Sequence, residues 1–150
     1  MKLASLDDGS TAGLPVVVSR DLSRCAPATA IVGNVTQALL DWERFAERLR
    51  ALATRVEAGR GEAWRFHEAQ ALAPVARVAS IDGTEVPLGA ARAPLVQAGS
   101  TAPGHADVCL VALSDGEGRA RLLVPVLRLA DGPTGQGPRW AAAAVAITPD

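Results

Sequence analysis

The pattern of apolar and polar positions divides this chain into three textures. The first opens with the short apolar run "MKLASL", passes through the polar cluster "DDGSTAG", and resumes with the β-branched run "LPVVVSRD". An Asp-Gly step and Gly13 supply turn chemistry between two runs of strand length, so the pattern predicts a β-hairpin. "RCAPAT" adds a short third strand. Pro27, which has no N–H to give to a ladder, argues that this strand lies at an edge.

From Asn34 the period becomes helical. Leu39, Trp42, Phe45, Ala46, Leu49, Leu52, Ala53 and Val56 recur at steps of three and four through "VTQALLDWERFAERLRALATRVEAG", drawing one apolar stripe. Asn34 with Gln37 three residues on is an N-cap pattern, and Gly59 supplies the stop. Glu43, Arg44, Glu47, Arg48 and Arg50 lie mostly off the stripe and read as a solvated face.

After Gly61 the chain turns to short apolar runs punctuated by Gly and Pro. The clearest is "DVCLVALSDGEGRARLLVPVLRL", two strands around a bend at Asp115-Gly116. Period two puts Arg119 and Arg121 on one face of the returning strand and Ala120, Leu122 and Val124 on the other. "LADGPTGQGP" reads as a loop. "WAAAAVAIT" is the final strand, although alanine at Ala141 to Ala144 favours helix over strand. The fold class is therefore α+β: a small amino-terminal sheet with one long helix packed on it, followed by mostly antiparallel strands. Residues 1–75 form an α+β lobe and residues 76–150 a β-rich remainder.

Composition agrees with a folded domain. A chain of 150 residues can bury roughly two thirds of the surface its unfolded form exposes. Apolar residues make up 49% and charged ones 21%, far from the signature of disorder. Fifteen basic residues nearly cancel sixteen acidic ones, and no Lys/Arg run is long enough to attract nucleic acid or anionic lipid. Lys2 is the only lysine, which reads as composition bias. Asp7 and Asp8 interrupt the amino-terminal run before it reaches signal-peptide length. No stretch approaches the roughly 18 to 20 apolar residues that span a bilayer, so a cytoplasmic protein is expected. Cys25 and Cys109 fit no metal spacing and read as reduced, buried thiols.

Candidate chemistry is sparse. Ser19, Ser80 and Ser114 sit in no nucleophile elbow, and neither cysteine has a base nearby in sequence. "GEG" and "GPTGQG" lack the strand-to-helix setting and the lysine of a phosphate loop. Past Glu85, the acids before the terminus are Asp107, Asp115, Glu117 and Asp131; Asp115 and Glu117 flank a turn, where such residues are expected for turn chemistry alone. His67 and His105 are isolated histidines.

Five stretches, "MKLASLDDGS", "LPVVVSRDLSRCAPAT", "TQALLDWERFAERLRAL", "ALAPVAR" and "DGTE", occur in the order of a known pattern. Over residues 1 to about 85 the chain resembles the amino-terminal part of bacterial fumarylacetoacetate hydrolase family proteins, and the closing "VAITPD" resembles a segment deeper in them. That resemblance implies a short amino-terminal lobe followed by a larger β-rich catalytic domain, often as a dimer. The catalytic domain holds Mg²⁺, Mn²⁺ or Ca²⁺ with carboxylates and hydrolyses or decarboxylates β-keto compounds by cleaving a carbon–carbon bond.

The parts of such a site are not found here. Past "DGTE" the family pattern calls for a His, but the chain reads "VPLGAARAPLVQAG". A Glu-x-Glu ligand motif is also missing after Gly61. Either alanines occupy the ligand places of "WAAAAVAIT", or that segment descends from the later one and the ligand strand is deleted. No catalytic, cofactor-binding or metal residue is therefore assigned and no cofactor expected. The expected function is a fumarylacetoacetate hydrolase-like scaffold or partner-binding domain, silent as a C–C hydrolase on its own. Its expected partners are a second copy or a full-length relative, and neither nucleic acid nor membrane. The alternative is an active hydrolase or decarboxylase of β-keto acids in aromatic-compound catabolism, with Mg²⁺ or Mn²⁺ on dispersed acids and His105 as base. A stand-alone β-rich binding module, or a part of a longer gene product, stays open beside these.

Overall fold

The computed structural model describes residues 1–72, 78–81, 84–87, 108–115, 117–129 and 139–148. Strands β1 (Lys2–Leu6) and β2 (Leu14–Val18) form the expected hairpin, paired from Lys2↔Val18 to Leu6↔Leu14. In its turn the Gly9 N–H donates to Asp7 Oδ1 (3.0 Å) and the Ser10 N–H to Asp8 Oδ1 (2.9 Å), so short acids fold the backbone back on itself. Gly13 has a φ of +70°, and a Cβ there would stand 2.8 Å from the Leu6 carbonyl oxygen. Glycine is the residue that fits.

Strand β3 (Arg24–Pro27) pairs with β2, and β4 (Trp64–Arg65) pairs with β3. The third strand thus lies one in from the edge, which belongs to β4. Pro27 is nonetheless accommodated, because β4 covers Arg24 and Cys25 alone and stops short of it.

The second half joins the same sheet. Strands β5 (Ala71–Leu72), β6 (Val78–Ile81), β7 (Thr84–Pro87), β8 (Val108–Ser114), β9 (Ala120–Leu129), β10 (Arg139–Ala142) and β11 (Val145–Ile147) follow in sequence. Apart from the separate β6–β7 hairpin, the strands form one sheet in the order β10-β9-β11-β1-β2-β3-β4, with β8 on β9 and β5 on β1. Along one edge of β1, Lys2 to Ala4 pair with β11 while Ser5 and Leu6 pair with β5. β11 also meets β9 at Ile147↔Leu123, and the Met1 ammonium donates to Thr148 Oγ1 (2.8 Å). The run "WAAAAVAIT" is therefore extended, as two strands broken at Ala143–Ala144. Ladder partners on both sides of that break, with the Ala143 N–H on the Pro125 carbonyl (2.7 Å), override the helical preference of alanine.

The helical stripe folds as two pieces, α1 (Val35–Leu40) and α2 (Trp42–Glu57). Asn34 Oδ1 accepts from the Gln37 N–H (2.8 Å), and Gln37 Oε1 reaches back to the Gly33 N–H (2.9 Å), one residue before the capping-box position. The break is Asp41, at φ −123° and ψ 52°. It was not visible in the periodicity because the stripe continues across it: Val35, Ala38 and Leu39 of α1 and Trp42, Phe45, Ala46, Leu49, Leu52 and Val56 of α2 are all buried. α2 ends in a Schellman motif, with Gly59 at φ +66°, its N–H on the Val56 carbonyl (3.1 Å) and the Arg60 N–H on that of Arg55 (2.9 Å).

The helices cover one face of the sheet. Leu3, Val17, Ala26 and Ala146 meet them there together with Leu113, Leu122 and Val124 of the β8–β9 hairpin. Ala4, Val16, Val18, Cys25, Phe66, Ala71, Ala144 and Val145 form a second buried cluster, as the period-two alternation of side chains requires. Each fully buried Leu or Val contributes about 1.5–3 kcal/mol relative to exposure.

Two substitutions test this core. Leu122→Ala, made far in sequence from the helices, should cost about 2–5 kcal/mol, and helix ellipticity and Trp fluorescence should fall in one shared, earlier denaturant transition. Gly13→Ala should cost at least about 1 kcal/mol through its backbone conformation and the Leu6 contact, read as a lowered midpoint at unchanged slope.

Candidate functional site

The stretch "SRDLSR" is a tight turn between β2 and β3 organised by one carboxylate. Asp21 Oδ1 accepts from Ser19 Oγ (2.6 Å), the Ser23 N–H (3.0 Å) and Ser23 Oγ (2.7 Å). These hydroxyl and amide donors hold the Asp21 carboxyl well below the usual carboxylate range. Ser19 Oγ also accepts the Arg24 N–H (3.0 Å), which leaves it tied into the turn. From outside, the Arg20 N–H donates to Glu57 Oε1 (2.7 Å) at the end of α2, and Lys2 Nζ to the Arg20 carbonyl (2.6 Å). The turn holds Leu22 at φ +60°, a conformation that non-glycine residues seldom adopt, and leaves its side chain 36% exposed.

The other residues considered for chemistry are dispersed. Cys25 is fully buried, and that burial pushes its thiol up to about 11, so it is protonated and inert at neutral pH. His67 is exposed, and its carbonyl accepts the Gln70 N–H (3.0 Å) of a short 3₁₀ turn. Ser114 closes β8 at a register shift opposite Ala120. Cys109 pairs through its backbone with Val126, and Ser80 with Glu85. Ala144 and Ala146 are enclosed on opposite faces of the sheet by apolar neighbours, surroundings that would penalise a carboxylate. His105, Asp107, Asp131 and the loop "LADGPTGQGP" lie outside the described residues. Among the described residues no three His, Cys, Asp or Glu side chains gather as a metal-holding group. No described helix is long and apolar enough to cross a membrane.

A concave surface forms where the turn meets β4. Leu22, Ser23, Arg24, Trp64 and Arg65 line a pocket of about 500 Å³. Trp64 is 42% exposed there, unlike the buried Trp42. Arg24 and Arg65 stand directly opposite each other across the β3–β4 ladder. The Phe66 N–H donates to the Ser23 carbonyl (3.0 Å), which makes Arg24↔Arg65 a non-hydrogen-bonded pair, the kind in which side chains come closest. Sequence reading missed this site. Its signal was the alternation "WRF" after a glycine pair, too short to announce a strand.

Among the described residues, a dense charge network forms at the β8–β9 turn. Asp115 Oδ1 accepts the N–H groups of Glu117 (2.9 Å) and Arg119 (3.0 Å), while Oδ2 accepts from Arg121 Nε (2.8 Å) and Arg119 Nε (3.3 Å). Both arginines also reach Glu43 at the start of α2, and Arg119 pairs with Glu117 (2.6 Å). The Asp115 side chain is only 5% exposed. Asp115 is thus the turn residue its sequence setting suggested, with a long-range role added, because it fixes the two arginines that clip the hairpin to the helix. The Arg121 guanidinium, with the two backbone amides, holds its carboxyl well below the usual range. A depressed folded-state value means that ionised Asp115 stabilises the fold above its unfolded value of about 4, a contribution lost as pH falls towards the folded value. Asp115→Asn should therefore melt earlier than the parent at neutral pH, with the gap narrowing progressively below about pH 4 in a series of thermal melts.

Comparison with curated proteins yields no match. Residues 1–77 match the family model of fumarylacetoacetase N-terminal domain 2. The matched span runs from β1 to just past β5 and contains the "SRDL" turn, both helices and the β4 edge. The chain belongs to the fumarylacetoacetase N-terminal domain family.

Proposed function

We propose that this protein is a fumarylacetoacetase-type amino-terminal domain that works as a scaffold or partner-binding unit, with no C–C hydrolase chemistry of its own. The observation that carries the reading is how the polar groups of the described residues are used. Asp21 and Asp115, the carboxylates with the strongest perturbation, accept from turn amides, hydroxyls and arginines. Ser19 is tied to Asp21, and Cys25 is buried without a base. Perturbed groups that mark active sites in other proteins are here the fasteners of two turns. The partner is a second copy of this chain or a full-length relative, and the setting is the cytoplasm.

A thermal melt with millimolar Mn²⁺ or Mg²⁺ and then EDTA tests the first half of the reading, since a ligand that binds the folded state raises its melting temperature. The expected result is an unchanged melting temperature. A metal-dependent rise, followed by β-diketone hydrolysis, would replace the scaffold with an enzyme. Size-exclusion mass on the same sample tests the second half: a dimer, or a mixed complex with a full-length relative, is expected, and a strict monomer blind to that relative would overturn it.

A further inference from the structure

The β4 edge combines three features, although the Arg24 guanidinium also lies against Gly59 at the carboxyl end of α2. The first is electrostatic. Like charges directly opposite on neighbouring strands repel, yet Arg24 and Arg65 occupy that arrangement with no salt bridge to either among the described residues. The Asp21 charge beside Arg24 relieves the pair in part, and that carboxylate is already bonded to Ser19 and Ser23. The second is the backbone. In a non-hydrogen-bonded pair the inner strand is not addressed, so the Arg65 N–H and C=O point away from β3, towards the side of β4 on which no strand pairs among the described residues. The third is apolar surface. Trp64 is 42% exposed and lies on the other face of β4 from Arg65, with Leu22 at the rim of the same pocket.

We infer that this edge binds an extended acidic segment of a partner protein, which adds to the sheet beside β4. Such a segment uses the outward-facing Arg65 amide and carbonyl for strand addition. Its alternate side chains then fall on the two faces of the sheet. Carboxylates on one face meet the Arg24–Arg65 pair and remove its repulsion, in the paired geometry that guanidinium favours. Apolar side chains on the other face cover Trp64. The recognised pattern is therefore acidic and apolar residues in alternation. This inference rests on the scaffold reading and gives that scaffold its binding surface.

The test uses the whole chain and a short, blocked, fluorescein-labelled peptide alternating glutamate with valine. The controls are the same peptide with lysine for glutamate and a labelled single-stranded oligonucleotide. Anisotropy should report saturable binding of the glutamate peptide, weakened by salt and weakened roughly tenfold by Arg65→Glu, an exposed edge position whose fold is checked by circular dichroism. Arg65→Glu should in return gain affinity for the lysine peptide, a reversal that misfolding cannot produce. Trp64→Ala should weaken the glutamate peptide without changing its salt dependence. A glutamate peptide that binds no better than the lysine peptide, or binds Arg65→Glu equally well, overturns the inference. An oligonucleotide that binds as tightly and with the same dependence on Arg65 also overturns it, in favour of a general polyanion site. Size exclusion on the same samples separates the two levels: a dimer or mixed complex that persists without peptide binding removes this edge and leaves the scaffold reading standing, whereas a monomer that binds neither peptide nor relative removes both.

Discussion

The structure turns on one seam of three residue pairs, Lys2↔Ile147, Leu3↔Ala146 and Ala4↔Val145. Through it the amino-terminal hairpin and the β8–β9 hairpin become one sheet. Leu3 and Ala146 thereby lie on the same buried face as Leu122, Val124 and the helices. A strand has a side-chain period of two and β1 is held in register by β2, so a slip of β11 by one residue at this seam would turn Ala146 away from the helices and Val145 towards them. The seam has little tolerance because both faces of β1 are enclosed: Leu3 belongs to one buried cluster and Ala4 to the other. Ala144 and Ala146 are both fully buried, one in each of the two clusters.

Charge in this protein is used mainly to fasten turns. Asp21 and Asp115 do the same work at opposite ends of the described sheet: each gathers local amide N–H groups, and each turn is then tied to α2, one through Glu57 and the other through Glu43. The helix is thus held at both of its ends by carboxylates as well as along its length by apolar contact. Against this background the Arg24–Arg65 pair stands apart, as two like charges that meet without a bonded acid among the described residues.

Much of the fold was legible because its signals are local. The step of three and four from Leu39 to Val56 predicts a buried helical stripe, and the Asp-Gly steps predict both hairpins. The "SRDL" and Trp-helix stretches also carried the family resemblance, which the match over residues 1–77 bears out. What stayed hidden is non-local or too short. The Asp41 break leaves the stripe in phase, so no periodicity reports it. β4 has two residues, fewer than any alternation needs. The Glu43–Arg121 contact joins residues 78 apart, and neither residue's neighbours hint at the other. The β4 edge was missed for the same reason, since Arg24 and Arg65 become a pair only through the ladder. Weighing acids and histidines one at a time found turn residues and isolated groups, because a site is a property of the packing that brings side chains together.

The division of β1's free edge between β5 and β11 also has a temporal side. During synthesis the β1–β2 hairpin, joined by a short turn, has both its strands within residues 2–18, and β5 can cap Ser5 and Leu6 once residue 72 has emerged. Lys2 to Ala4 must wait for residues 145–147. Contacts so distant in sequence form late, because the intervening loop has to close first. In that interval half of an apolar strand edge is open to any other strand in reach, including the same edge of a neighbouring nascent chain. β11 therefore acts as a seal as well as a seam, and the time taken to make it is the period in which this protein is most exposed to mispairing.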